Sequence, residues 1–206
     1  MIKLIASDID GTLVPDGAGE INPEIYKEIL RLRGKGIQFA AASGRQWVSI
    51  ERLFEPIKEK IFYISDNGAY IGCHPRNLFL TSIDRDVVME MVDDVRQRPD
   101  LDIMVSGPNV VYLETDNEEF CRWLTDSYRF QVKQVKDLKQ VDDRFIKVSV
   151  YKSHDVEEAA RDIREKYKDR LKITIAGDMW MDCMAESVNK GQAIRTLQEC
   201  LEILPE

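Results

Sequence analysis

Apolar residues recur along the first part of the chain in a pattern that alternates between strand and helix. Short apolar runs at residues 2–7, 37–42 and 61–65 are typical of buried strands. Between them, residues 22–36 and 47–56 carry apolar side chains at helical spacing. This alternation predicts a parallel sheet with helical crossovers. Because functional groups lie at the carboxyl ends of the strands in such sheets, we expect chemistry in the loops that follow them.

From about residue 82 the pattern changes to a helix followed by two strands, and this unit occurs twice. The predicted helices span 84–98 and 154–167, and the turns are Gly107-Pro108-Asn109 and Gly177-Asp178. The predicted strands are at residues 101–106, 110–114, 171–176 and 179–184. Corresponding elements lie about 70 residues apart. The spacing predicts two related α-β-β units.

Further elements lie between the two units and after them. Thr115 and Glu118 fit a capping box that opens a helix. Strands are expected near 130–135 and 144–151, and a last helix begins at Gly191.

Composition and charge are consistent with a globular chain of two domains. Of 206 residues, 44% are apolar and 32% are charged, and the net charge is −8. We predict an α/β fold, with a Rossmann-like parallel-sheet core at residues 1–81 and 186–206 and an inserted α+β domain at 82–185. Residues 1–81 carry 10 basic and 10 acidic groups, whereas residues 82–185 carry 17 and 23. The acidic surplus therefore lies mostly on the insertion.

The composition also narrows the class of function. An acidic balance argues against a nucleic-acid partner held through phosphate contacts, and no segment approaches the ~20 apolar residues of a membrane span. The N-terminus has no secretory signal, and the four cysteines include no C-x-x-C pair, so a zinc site is not expected. We expect a cytoplasmic protein that acts on a small molecule. The sequence indicates no oligomeric state.

Asp8 and Asp10 form the sharpest chemical signal. The motif D-I-D-G-T-L at residues 8–13 directly follows the first apolar strand, and D-x-D-G-T arises by chance with a probability on the order of 0.002. Asp8, beside a cation, can attack phosphorus as a nucleophile, while Asp10, kept partly protonated by its neighbour, can act as general acid and base. The alternative is an Asx turn, in which Asp10 bonds backbone amides and Asp8 caps the loop.

Two weaker signals accompany this pair. Ser43-Gly44, after the second strand, offers a hydroxyl and an accessible backbone amide to a phosphoryl oxygen, although Ser-Gly is also ordinary loop material. Lys190, before the last helix, can reach a phosphate as a point cation or simply be solvated. With Asp8 and Asp10, these residues favour phosphate chemistry.

The motifs resemble those of the haloacid dehalogenase superfamily over the whole chain. D-I-D-G-T-L resembles its first motif, A-A-S-G-R at 41–45 its second and V-N-K-G at 188–191 its third. The insertion resembles the large α/β (type IIB) cap of the Cof-type branch. That branch consists largely of magnesium-dependent phosphatases of sugar phosphates and other small phosphorylated metabolites. The resemblance therefore implies a phosphoric monoester hydrolase.

The resemblance implies a role for each matching residue. Asp8 would become a transient aspartyl phosphate and ligate Mg²⁺, and Asp10 would protonate the leaving alkoxide, activate water and touch the metal through its backbone carbonyl. The phosphoryl oxygens would be held by the backbone amides of Ile9 and Gly44, the Ser43 hydroxyl and Lys190. Residues 66–68 and Arg45 would face the leaving group. A plain turn role suits Asn67 equally well, and Arg45 could instead pair with a nearby glutamate.

The family's fourth motif does not occur at its expected position. This motif, G-D-x-x-N-D, would supply the remaining acidic metal ligands after the helix that begins at Gly191, but the 206 residues end before it. We interpret the similar string G-D-M-W-M-D at 177–182 as a hairpin turn, because the α-β-β repeat aligns it with Gly107-Pro108.

Three alternatives therefore stay open. They are a phosphomannomutase-like phosphoryl transferase, a catalytically impaired protein that binds a phosphate ligand, and a fragment of a longer enzyme. In the third case the first strand would present an unpaired edge. The sequence does not indicate the substrate, nor which residues of the insertion face a cleft among Met104, Tyr112, Trp180 and Met181.

Overall fold

The computed structural model describes residues 2–14 and 20–204, which divide into two compact units. The first unit takes in the described residues up to Leu80 and again from Val188, and the second spans Thr81–Ser187. In chain order the elements are β1 (Leu4–Ser7), α1 (Pro23–Gly34), β2 (Gln38–Ala42), α2 (Trp47–Leu53), β3 (Phe62–Ser65), β4 (Tyr70–Cys73), β5 (Arg76–Leu80), α3 (Arg85–Arg96), β6 (Asp102–Ser106), β7 (Val111–Leu113), α4 (Glu118–Ser127), β8 (Val132–Gln134), β9 (Lys147–Tyr151), α5 (Val156–Ala159), α6 (Arg161–Tyr167), β10 (Lys172–Ala176), β11 (Trp180–Met184) and α7 (Lys190–Cys200). None of the described helices is long and apolar enough to cross a bilayer.

The first unit contains a five-stranded sheet in the order β1-β2-β3-β4-β5. Strands β1, β2 and β3 are parallel, with Ser7 opposite Ala41 and Ala42 opposite Ile64. Their carboxyl ends therefore meet at one edge of the sheet, as predicted. Within the described sheet β1 is an edge strand, and its Ala6 is exposed.

Both faces of this parallel sheet are covered, which explains the continuous apolar runs of its strands. Side chains alternate along β2, so Phe39 packs with α1 and α2 on one face, and Ala40 packs with α7 on the other. On the α7 face, Ala40 contacts a cluster that includes Ile64 and Leu197. The last helix is thereby held against the strands that carry the predicted motifs.

The second unit contains a six-stranded sheet in the order β10-β11-β9-β6-β7-β8. Its neighbouring strands are antiparallel except for the parallel pair β7 and β8. Helix α3 precedes the hairpin β6-β7, and helices α5 and α6 precede the hairpin β10-β11. The predicted α/β class, with two α-β-β units in the inserted region, is confirmed.

Side-chain alternation separates the two faces of this second sheet. Tyr112 and Met181 belong to a core built with α3, α5 and α6. Met104 and Trp180 point to the opposite face, where α4 packs. The four residues whose direction the sequence leaves open therefore divide into two pairs.

Some local predictions are wrong. The hairpin β4-β5 was not predicted, and the helix expected over 154–167 is two helices that meet at Ala160. Helix α4 is capped by Asn117, whose side chain accepts a hydrogen bond from the Phe120 amide at 3.0 Å. Thr115 is not the cap; its hydroxyl accepts from the Asn117 amide at 3.1 Å.

The string G-D-M-W-M-D forms a hairpin turn between β10 and β11, as predicted. Gly177 has φ of +67°, a conformation that glycine adopts without strain. Asp182 lies inside β11 and accepts a hydrogen bond from the Ser149 hydroxyl at 2.6 Å.

Candidate active site

Asp8 lies at the carboxyl end of β1, and its carboxylate is held through one oxygen. Oδ1 accepts the backbone N–H of Ile9 at 2.8 Å and lies 3.0 Å from the Lys190 ammonium. Oδ2 accepts no hydrogen bond from the residues that the structure describes. The carboxylate is thus oriented by two donors, and its second oxygen remains accessible, with half of the Asp8 side chain exposed.

Lys190 reaches Asp8 from the first position of α7. The Asn189 side chain caps this helix by accepting the Gln192 amide at 2.7 Å. The ammonium therefore projects from a capped helix start, and its side chain is 34% exposed. An asparagine before a helix is a common N-cap, so the role of Asn189 could have been predicted from the sequence. The contact of Lys190 with Asp8 could not.

The turn after Asp8 is built by backbone hydrogen bonds. The amides of Thr12, Leu13 and Val14 all donate to the carbonyl oxygen of Ile9, at 2.8 to 3.1 Å. Gly11 has φ of +71°, which favours glycine. The Asp10 side chain is not used in this turn, so the Asx-turn alternative does not hold for Asp10.

Asp10 is bound by Arg45 and Ser43 from the loop after β2. Arg45 donates from Nε at 3.0 and 3.1 Å and from Nη2 at 2.6 Å, and the Ser43 hydroxyl donates at 3.3 Å. Arg45 is 14% exposed and Asp10 is 48% exposed. The family resemblance predicts that Arg45 faces the leaving group, with a nearby glutamate as the alternative partner. In the structure Arg45 pairs with Asp10 instead.

The loop after β3 completes the group of loops. The Asn67 amide donates to the Ser43 carbonyl oxygen at 3.1 Å, and the Asp66 amide donates to that of Arg45 at 3.0 Å. Asn67 has φ of +59°, in the left-handed region, so it takes part in a turn. A Cβ on Gly44 would lie 3.0 Å from Asn67 Oδ1, so the two loops touch where Gly44 has no side chain.

Gly68 allows the turn after β3 to approach the backbone of Asn189 closely. Its φ is +105°, and a Cβ there would lie 2.7 Å from the carbonyl oxygen of Asn189. The turn therefore packs directly against the start of α7. Gly68 thus sets the position of Lys190 relative to the β3 loop.

Aromatic and ionic contacts fix α2 beneath the Ser43–Arg45 loop. Trp47 stacks on Tyr70 with ring centroids 5.7 Å apart, and Glu51 contacts His74. Burial, together with the nearby charge of Glu51, raises the pKa of Tyr70 to about 12. Tyr70 therefore stays neutral and packs as a structural ring.

The donor set suits a hard cation. The Asp8 carboxylate and the backbone carbonyl of Asp10 offer oxygen atoms, and Mg²⁺ is commonly bound by one or two carboxylates together with a substrate phosphate. The described part of the chain contains no cluster of three or more histidine, cysteine or acidic side chains placed to bind a metal. The oxygen donors near Asp8 are nevertheless of the kind that Mg²⁺ prefers.

Comparisons with known proteins identify the family of this chain. Residues 5–206 match the family model of haloacid dehalogenase-like hydrolases. The chain is 23% identical over 199 residues to the Escherichia coli 5-amino-6-(5-phospho-D-ribitylamino)uracil phosphatase YbjI, covering 96% of this chain and 73% of that protein. A crystal structure from Eubacterium rectale superposes with a TM-score of 0.90 at 36% identity, covering 99% of this chain and 78% of the other. The subclass IIB sugar phosphatase BT4131 shares the fold, with a TM-score of 0.82, 18% identity and coverage of 98% and 77%.

Proposed function

The chain belongs to the haloacid dehalogenase-like hydrolases of the Cof type and is a phosphoric monoester hydrolase, and on that premise we propose a mechanism. In this proposal Asp8 takes the phosphoryl group of a small phosphorylated metabolite and passes it to water, with Mg²⁺ as cofactor. The observation that carries the proposal is the Asp8 carboxylate, with Oδ1 held by Ile9 and Lys190 and Oδ2 open at the strand end.

In the first step Asp8 Oδ2 attacks phosphorus, and the bond from phosphorus to the leaving oxygen breaks. Asp10, in its protonated form, gives its proton to that oxygen, so an alcohol leaves. The product is an aspartyl phosphate on Asp8. Oδ1 becomes the carbonyl oxygen of the mixed anhydride, so the single Ile9 N–H can turn to a phosphoryl oxygen, while Lys190, with three N–H donors, can contact both.

In the second step water attacks the phosphorus of the aspartyl phosphate. Asp10, now deprotonated, takes a proton from the water, and the bond between Asp8 Oδ2 and phosphorus breaks. Inorganic phosphate leaves and Asp8 is restored. Lys190 and the Ser43 hydroxyl, with the amides of Ile9 and Gly44, are proposed to hold the phosphoryl oxygens through both steps.

We propose that Arg45 loosens its hold on Asp10 when the substrate binds. Its three hydrogen bonds occupy both oxygens of Asp10. Release of one of these bonds would clear a lone pair of Asp10 for the leaving oxygen or for a water. The negatively charged phosphate of the substrate competes for the same guanidinium, so substrate binding would free Asp10.

Mg²⁺ is proposed to be held by the Asp8 carboxylate and the backbone carbonyl of Asp10. When bound, it would neutralise part of the charge on the phosphoryl oxygens. We further propose that residues 82–185 act as a cap that selects the leaving group, and that the enzyme works in the cytoplasm. Sugar phosphates and the phosphoribitylamino-uracil named for the Escherichia coli relative are the first substrates to test.

Phosphate release tests the proposal. The 206-residue chain should release inorganic phosphate from an aryl phosphate or a metabolite phosphate, and chelation of Mg²⁺ should stop the reaction. Asp8→Asn should abolish release by at least about 10⁴-fold, while the control Asp169→Asn, at an exposed turn of the second unit, should keep full activity. Isomerisation of a hexose phosphate without phosphate release would instead identify a mutase. Saturable binding without any turnover would identify a phosphate-binding protein.

A further inference from the structure

The second unit carries a contiguous group of aromatic rings on the α4 face of its sheet. The members are Phe120, Trp123, Tyr128, Phe130, Tyr151 and Trp180. Trp123 stacks on Trp180 with centroids 6.0 Å apart, and Phe120 stacks on Tyr151 at 4.4 Å. Trp123, Tyr151 and Trp180 remain only half-buried. Large rings that stay partly exposed together often mark a binding surface.

A cleft of about 680 Å³ opens beside this aromatic group. Its aromatic wall is formed by Phe120, Trp123 and Tyr151, and the carboxylates of Asp102 and Glu119 also line it. Sites for small molecules usually have volumes of about 300–1,000 Å³. The cleft is therefore large enough for a small ligand.

The charge at this cleft is negative. Asp100 is balanced by Lys152 at 3.3 Å and Arg98 at 3.1 Å. Asp102 accepts a hydrogen bond from the Thr115 hydroxyl at 3.0 Å, and neither Asp102 nor Glu119 pairs with a cation among residues 2–14 and 20–204. Burial and the charge of Asp102 both raise the pKa of Tyr151.

We propose that this cleft binds a small organic cation, with an alkylammonium or quaternary ammonium group placed against Trp123 and Tyr151 and balanced by Asp102. The faces of aromatic rings attract cations through their quadrupole, and an adjacent carboxylate adds Coulomb attraction. A phosphate monoester would be repelled by the same carboxylates. The proposed site would therefore take a different class of ligand from the site proposed around Asp8.

Choline and its neutral carbon isostere, dimethylbutanol, provide a matched pair of probes. Each is titrated into the intact 206-residue protein while the indole N–H signals of its three tryptophans are followed by NMR. Choline should shift the Trp123 signal saturably, and the isostere should bind at least about fivefold more weakly because it lacks the charge. The Trp47 signal, in the first unit, should not move.

Two variants test the assigned residues. Asp102→Asn replaces one oxygen and should weaken choline binding about fivefold or more, whereas Glu157→Gln, an exposed change on α5, should leave the affinity unchanged. Trp123→Leu should remove choline binding. Because this change also alters the packing of α4, the affinity of Asp102→Asn for choline is the decisive measurement. Absence of saturation, equal affinity for the isostere, or unchanged affinity in Asp102→Asn would each overturn the proposal.

Discussion

The two units use polar side chains in opposite ways. In the first unit Asp8, Asp10, Ser43, Arg45 and Lys190 gather at the carboxyl ends of parallel strands. In the second unit, charged residues form ion pairs that join helices and loops, such as Arg96 with Glu114 and Asp137. Overall charge therefore does not indicate where the proposed chemistry lies: the nearly neutral region contains the two proposed catalytic carboxylates, and the acidic region mostly pairs its charges.

This contrast follows from sheet type. Parallel strands bring several loops to one edge, so residues distant in sequence meet there. Antiparallel strands are joined by local hairpins, and the functional surface is then a face of the sheet, such as the aromatic group beside α4. Substitutions should consequently alter the rate in the first unit and the stability or ligand binding in the second.

Asp10→Asn should produce the largest effect after loss of the nucleophile. We expect about 10²–10⁴-fold slower turnover, because a general acid and base is removed. The loss should be larger for an alkyl phosphate than for a nitrophenyl phosphate, whose leaving group needs no proton. Steady-state rates on both esters measure this difference. Equal losses on the two esters would argue against proton donation by Asp10.

Gly68→Ala should distort the contact between the β3 loop and α7. A Cβ would lie 2.7 Å from the Asn189 carbonyl oxygen, at a φ of +105°, and we expect a loss of about 1–3 kcal/mol in the free energy of unfolding. Phosphatase activity should fall as well, because Lys190 is displaced. Denaturant unfolding and kinetics test both effects. The control Gly34→Ala, in α1 with no atom within 4 Å of the added Cβ, should be neutral or stabilising.

Arg45→Lys should lower turnover about tenfold. Lysine keeps the charge but cannot offer the phosphate the forked contact that draws Arg45 away from Asp10, so Asp10 would be freed less readily. The substrate KM should also rise if the phosphate recruits Arg45. The control Arg31→Lys changes an exposed pair with Glu28 on α1 and should have normal kinetics. Normal kinetics in Arg45→Lys would show that the forked hydrogen bonding of the Arg45 guanidinium is not needed for catalysis.

Arg96→Gln should have the smallest effect, confined to stability. Hydrogen bonds from Arg96 hold the pKa of Asp137 below its usual range, so this pair stabilises the fold above the ordinary aspartate pKa of about 3.9. The contribution is lost as the pH falls through the lowered folded pKa. Melting temperatures of the two proteins should therefore differ at neutral pH and converge in acid. The rate of phosphate release per folded molecule should stay the same. A slower rate would contradict the assignment of catalysis to the first unit and of stability to the ion pairs of the second.

The sequence predicts the parallel core well because its signals are local. The runs before Asp8 and Ser43 are apolar on both faces, and the helix after Asn22 has a capping residue and a proline at its start. The hairpin β4-β5 escaped prediction because most of β5 is exposed and shows no alternation. Its strand identity comes from pairing with β4, which is a tertiary contact.

The site was predictable in its residue types but not in its contacts. Motifs identify Asp8, Asp10 and Lys190, and strand order explains why their loops meet. The pairing of Arg45 with Asp10 joins residues 35 positions apart, and no local pattern indicates it. The directions of Met104 and Tyr112 could not be predicted either. The pairing of β6 with β7 places them on opposite faces of the sheet, but the sequence does not indicate which face α4 covers.

The most direct test of the central claim is to look for the phosphoryl group on Asp8. Turnover of nitrophenyl phosphate by Asp10→Asn is quenched in denaturant, and the peptides are mapped by mass spectrometry. Because this variant should form the aspartyl phosphate but hydrolyse it slowly, we predict the added mass of one phosphoryl group on Asp8, and none when Asp8→Asn is also present. Phosphate release without such an adduct, or an adduct on another residue, would contradict the account.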